Sequence, residues 1–119
     1  MSAETQLYAV LSGRAGLVAL VGDRIYPDAI PEEKALPAVV FLRASTAPVH
    51  TIAGALVCED VHFAITAWAT GRNAAEAVAD EIAAALAASG NPKTDRSAGF
   101  DNEVGLYGVT IETDWFVAY

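Results

Sequence analysis

The stretch from Glu59 to Leu86 constrains the fold more than any other part of this chain. Glu59-Asp60-Val61-His62-Phe63-Ala64-Ile65-Thr66-Ala67-Trp68-Ala69 reads as one long alternating strand, Thr70-Gly71-Arg72 as a turn, and an alanine-rich helix begins near Asn73. Successive side chains of a strand point to opposite faces, so Val61, Phe63, Ile65 and Ala67 share one face, which the following helix can cover. The other face carries His62, Ala64, Thr66 and Trp68. It is only half polar, which leaves an apolar surface for something else to cover and predicts a protein that works as part of an assembly.

Upstream, Leu7, Val10 and Leu11 stand at helical spacing and predict a helix from Glu4 to Ser12, with Ser2 as N-cap and Glu4 near the positive end of its dipole. Gly13 interrupts it, and Ala15 to Val21 forms a second short helix stopped by Gly22. Asp23 to Pro27 is a short extended piece, because the residue before a proline is pushed out of the helical region. Pro31 and Pro37 bracket a charged loop. Ala38 to Ser45 is nearly continuous in apolar residues, as expected of a strand interior to a sheet. Thr46 to Val57 is longer than the usual hairpin loop of about two to five residues. With Val49, Ile52, Leu56 and Val57 it is also too apolar for a solvated loop. It is expected to be an arm or hairpin extension that packs on a neighbour, the alternative being that it folds back on its own sheet.

Downstream, the helix from Asn73 to Ala88 places Ala75, Val78, Ala79, Ile82, Ala83 and Leu86 on one stripe, with Glu76, Asp80 and Glu81 on the wet side. Gly90 caps it and Pro92 prevents its resumption. Lys93 to Gly105 is polar and glycine-bearing, with a short strand around Ser97 to Phe100. Leu106 to Val117 alternates: Tyr107, Val109, Ile111, Thr113 and Trp115 on one face, Gly108, Thr110, Glu112 and Asp114 on the other. The expected fold is α+β, a mainly antiparallel four- to five-stranded sheet with helices packed on one face, in the order α-β-β-α-β-β.

A chain of 119 residues fits one domain, residues 1–119, burying on the order of 65% of its unfolded surface. Hydrophobic residues at 54% and charged ones at 18% describe a folded chain. No apolar run approaches the roughly 20 residues that span a bilayer, and Met1-Ser2-Ala3-Glu4 does not resemble a signal peptide. A soluble cytosolic protein is expected, with no membrane partner, and the lone Cys58 agrees with a reducing compartment. Seven basic against fifteen acidic residues leave a formal charge of −8. Arg14, Arg24, Lys34, Arg43, Arg72, Lys93 and Arg96 are scattered, whereas gripping a phosphate backbone needs them clustered.

Cys58, Asp60 and His62 lie two apart and point the same way on a strand. Same-face neighbours along one strand are about 6.5–7 Å apart, long for a thiolate–imidazole contact. A zinc site would need further ligands, and only the distant His50 is left as a conventional one. Thr70-Gly71-Arg72-Asn73 lacks the spacing and lysine of a phosphate loop, and nothing brings Glu32-Glu33 and Glu59-Asp60 together as acid and base. Catalytic, cofactor and metal sites are therefore not expected, the rival reading being a small thiol or metal hydrolase on Cys58 and His62. Trp68, Trp115, Phe116 and Tyr119 fit either a core or an interface, where aromatic residues are enriched.

The chain resembles the tail-completion, or tail-terminator, family of long-tailed bacteriophages and gene transfer agents. The resemblance rests on Leu7-Tyr8-Ala9-Val10-Leu11, on Leu20-Val21-Gly22-Asp23-Arg24-Ile25-Tyr26-Pro27, and on Leu36-Pro37-Ala38-Val39-Val40. It continues through Ala67-Trp68-Ala69, the helix closing on Ala85-Leu86, and the strand after Gly105-Leu106-Tyr107. Lys93 to Gly105 matches least. The resemblance implies a structural virion protein, assembled in the host cytoplasm, without catalytic residues. It implies a hexameric ring that ends the tail tube, contacts the tube protein and the head-tail connector or stopper, and lets DNA pass without specific binding. A head-side neck connector is the alternative within the same neck. Six copies would carry about −48 formally, a charge that repels DNA. Glu59, Asp60, Glu112 and Asp114 are expected to line or rim the channel. Subunit contacts are expected from the sheet edges, from Pro48, Val49, His50, Thr51, Ile52, Leu56 and Val57 of the arm, and from Trp68 and Trp115.

Overall fold

A computed structural model describes residues 3–27, 36–50, 54, 56–90, 93–101 and 105–118. In chain order they form α1 (Ala3–Ser12), α2 (Ala15–Val21), β1 (Ile25–Pro27), β2 (Ala38–His50), β3 (Leu56–Ala69), α3 (Arg72–Ala88), β4 (Lys93–Asp101) and β5 (Leu106–Ala118). The strands make one sheet in the order β1-β2-β3-β5-β4. Strand β1 runs parallel to β2 and every other neighbouring pair is antiparallel. The α+β class and largely antiparallel sheet agree with the sequence pattern. The extended piece before Pro27 is the addition, because it joins the sheet as a strand.

The helices form where apolar residues recur every three or four positions. Ala3, Leu7 and Leu11 of α1, Leu17 and Val21 of α2, and Ala75, Val78, Ala79, Ile82, Ala85 and Leu86 of α3 are buried. Ala85 lies deeper than Ala83, which packs at the margin. Against them the sheet presents Val39, Phe41, Val61, Phe63, Ile65, Ala67, Val109, Ile111 and Trp115. Phe63 sits between Phe41 and Trp115, its ring meeting theirs edge-on at 6.5 and 6.3 Å, the arrangement aromatic quadrupoles prefer. Each large side chain fully buried here contributes about 1.5–3 kcal/mol relative to exposure.

The string from Gly22 to Pro27 is a structural joint. Gly22 takes φ +61°, a left-handed value that costs glycine little, and its N–H donates to Val18 O to close α2. Arg24 then donates from Nε to Pro37 O at 2.9 Å and from Nη2 to Leu20 O at 3.4 Å, tying the end of α2 to the start of β2. Val39 N–H donates to Arg24 O, which starts the parallel ladder.

The segment from Thr46 to Val57 continues the hairpin. Thr46, Ala47, Pro48, Val49 and His50 pair with Val61, Asp60, Glu59, Cys58 and Leu56. Pro48 is tolerated because one side of the strand needs no donor there. Ala44 has no partner in the register, so the strand carries a bulge. The arm's tip, including Thr51 and Ile52, lies outside the described residues. Likewise β4 is longer than the sequence suggests, running from Lys93 to Asp101. The protein measures 51 × 29 × 23 Å. A strand of β3's length spans roughly 46 Å and a helix of α3's about 25 Å, so the hairpin overruns the helical layer. Among the described residues no helix is long and apolar enough to cross a membrane.

Candidate interaction surface

All three helices pack on one face of the sheet, and alternation sends every second strand residue to the other. That open face carries Val40 and Leu42 from β2, Asp60, His62, Ala64, Thr66 and Trp68 from β3, Asp95, Ser97 and Gly99 from β4, and Gly108, Thr110, Glu112 and Asp114 from β5. Among its described side chains there is no lysine or arginine. The arginines serve the helical side instead. Arg14 Nε meets Glu81 Oε2 at 3.0 Å, Arg43 bonds Glu4, and Arg96 bonds Glu76 and Asp80 of α3. Gly16 makes room for the first of these, since a Cβ there would collide with the Glu81 carboxylate.

One end of the open face is acidic. His62 stands opposite Asp114, with Ala64 opposite Glu112, so both carboxylates reach the imidazole. Nδ1 lies 2.9 Å from Asp114 and Nε2 lies 3.3 Å from Glu112. Hydrogen bonds accepted by Asp114 first and Glu112 second raise the pKa of His62 above its ordinary 6.5, because they favour the charged ring. With both nitrogens engaged, His62 has none left to activate Cys58. Asp60 lies one same-face position further along. Its Oδ1 is shielded from solvent and has no hydrogen-bond partner among the described residues, a costly state that a donor from outside would relieve.

The other end is aromatic and apolar. Trp68 lies across Gly108, where a Cβ would come within 2.9 Å of the indole ring. Ala38 and Val40 are buried beside it, while Leu42 remains 45% exposed. Between the two ends, Thr66 and Thr110 share a hydrogen bond of 3.1 Å.

Of the residues expected from sequence to face a channel, Asp60, Glu112 and Asp114 gather on this open face. Glu59 occupies β3 opposite Pro48 and Val117, and its side chain lies outside the described residues. The same holds for the side chains of Pro48, Val49, His50, Leu56, Val57 and Cys58, whose backbones form the outer hairpin. Trp68 is half-buried on the open face. Trp115 must be reassigned. It is only 4% exposed, packs in the protomer's own core, and donates from Nε1 to Gln6 of α1 at 2.9 Å. The sequence did not reveal that α1 lands on that part of β5. The pairing of His62 with Glu112 and Asp114 was equally hidden, since it depends on the β3–β5 register. Among the described residues no cluster of His, Cys, Asp and Glu could hold a metal ion.

Residues 5–118 match the family described as tail completion protein gp17. In fold the chain is similar to one from the virion of a native gene transfer agent particle, with a TM-score of 0.75 and 22% identity, over 95% of this chain and 92% of that one. A search of curated proteins finds no match.

Proposed function

Because the chain belongs to the tail completion protein gp17 family, we propose that it is a structural, non-catalytic component of a phage-type tail that forms a hexameric ring ending the tail tube. In this reading the ring joins the tube protein to the head-side connector or stopper and leaves a channel through which DNA passes unbound. The similarity in fold to a chain of the gene transfer agent virion supports a place in the particle. The observation that carries the reading is the open sheet face, acidic at one end, apolar at the other, and free of lysine and arginine among its described side chains. An acidic lining repels the phosphate backbone and keeps a conduit from gripping its cargo. Asp60, Glu112, Asp114 and Glu59 are the proposed channel set. The outer hairpin with Pro48, Val49, His50, Thr51, Ile52, Leu56 and Val57, together with Trp68, is the proposed contact set between subunits.

The test is native mass and negative-stain imaging of the protein, alone and mixed with purified tail tubes. The expected result is a ring with a central hole that seats on tube ends. A protein that stays monomeric at all concentrations and ignores the tubes would sink the reading. Seating on DNA-filled heads instead of tubes would move it to the connector side of the neck.

A further inference from the structure

We propose that the open edge of β2 in one copy pairs with β4 of the next as antiparallel strands, so that the sheet runs on from subunit to subunit. This rests on the ring reading above and specifies its contact. Strand β1 pairs only with Val39, Val40 and Phe41. From Leu42 onward, β2 has no strand on that side among the described residues. At the opposite edge, β4 pairs with β5 and its outer side likewise has none. Unpaired strand edges are templates for strand addition, and proteins that must stay single guard them with free charged side chains.

Here the arginines of both edges are tied back. Arg43 is held by Glu4 and Thr46 of its own chain, and Arg96 by Glu76 and Asp80. Each edge exposes a run of small side chains, Ala44, Ser45, Thr46 and Ala47 on β2, and Ser97, Ala98 and Gly99 on β4, the latter flanked by exposed Asp95 and Phe100. The small side chains leave room for two backbones at the usual spacing of about 4.8 Å.

Direction agrees as well. Three antiparallel steps separate β2 from β4, so they run oppositely, and a rotation about a ring axis to which the strands are tilted, by roughly 35–45° as in closed barrels, brings them together antiparallel. Strand β4 lies beside Leu106 to Thr113 of β5, at the end of the sheet where β1 covers β2. Joining the two open stretches therefore staggers successive copies along the strands, which is the shear that strand tilt supplies in any closed barrel. The two edges differ, so the contact is heterologous and closes only as a ring. Pro48 has no N–H to offer and ends the ladder at the far side.

The experiment places cysteines at both edges, Ser45→Cys with Ser97→Cys in a Cys58→Ser background, and adds a bis-maleimide linker of about 10 Å, long enough to absorb a slip of one or two residues at roughly 3.4 Å each. The double variant should give a ladder of cross-linked species ending at the ring, and each single variant only monomer. Rings that form without a ladder would overturn the pairing and leave the ring standing. Absence of rings, with or without tubes, would remove both. As an independent check, Ala47→Lys restores a guard to the edge. It should abolish rings while the melting temperature of the monomer stays unchanged, and undisturbed rings would count against the pairing.

Discussion

The two faces of the sheet carry one tryptophan each and treat it differently. Trp115, on the covered face, is enclosed by Phe63 and α1 and spends its N–H on Gln6. Trp68, on the open face, is half-buried and leans on Gly108. On the covered side Phe41, Phe63, Ile65, Ile111 and Trp115 are enclosed within the chain, and every described arginine has a carboxylate or carbonyl, save exposed Arg72. On the open side a carboxylate oxygen of Asp60 lacks a donor among the described residues and Leu42 faces solvent. A single copy encloses the centre of the first face and leaves the second open, which is what the proposed ring would use.

The comparison breaks most sharply at Phe63. Phe63→Ala empties the centre of the covered face and is expected to cost about 3–5 kcal/mol in chemical denaturation of the monomer. Leu42→Ala on the open face should stay within about 0.5 kcal/mol by the same measurement and weaken assembly instead. Equal losses would mean that the faces are not so different. Next comes Gly108→Ala, which must push the Trp68 ring aside at about 1–3 kcal/mol. In a Trp68→Ala background the same change should cost almost nothing, so a double-mutant cycle measures how far the indole is held by its own protomer.

A third experiment uses the tryptophans as reporters. Trp115→Phe loses the bond to Gln6 and should destabilise the monomer by about 1 kcal/mol. It leaves Trp68 as the sole indole. Its fluorescence should be accessible to iodide in the monomer and shielded in the ring, and quenching that does not change on assembly would take Trp68 out of the contact.

The smallest effect is the dependence on pH. The folded pKa of His62 is raised, so its contribution to stability is complete below 6.5 and is lost as pH rises through the folded value. His62→Gln should flatten that decline, by no more than about 1 kcal/mol for so exposed a pair. The opposite limb belongs to Glu4, whose hydrogen bond from Arg43 lowers its pKa. Its contribution is present above 4.5 and disappears as pH falls through the folded value. Stability that does not vary between pH 6 and 8 would remove His62 from the account.

Much of this architecture could be read from residue order because it depends on local periods. The alternation of Val61 to Ala67 and of Tyr107 to Trp115 named the covered face correctly, and the glycines at 13, 22 and 90 marked the helix ends. What escaped depends on pairing between distant segments. A three-residue strand such as β1 has too little sequence to show a period, and its place beside Val39 is set by Arg24 reaching Pro37. Strand β4 hides its length because Arg96, a charge on the covered face, is neutralised by α3 and does not look apolar. Trp115 was misjudged because composition favours aromatic residues at interfaces, and only the position of α1 decides which of the two tryptophans is enclosed.

The unpaired residue at Ala44 acts as a phase shift in the chain. Before it, Phe41 and Arg43 belong to the covered side, and after it Ser45 pairs with His62 on the open one. The orientation of the outer hairpin is therefore governed by how many residues precede it, more than by which residues they are. A substitution at this position leaves that count alone. Deleting Ala44 would force the arm either to keep its pairing by straightening the strand or to turn its two sides over, so the aim of the arm is a property of chain length that evolution can adjust in steps of one residue.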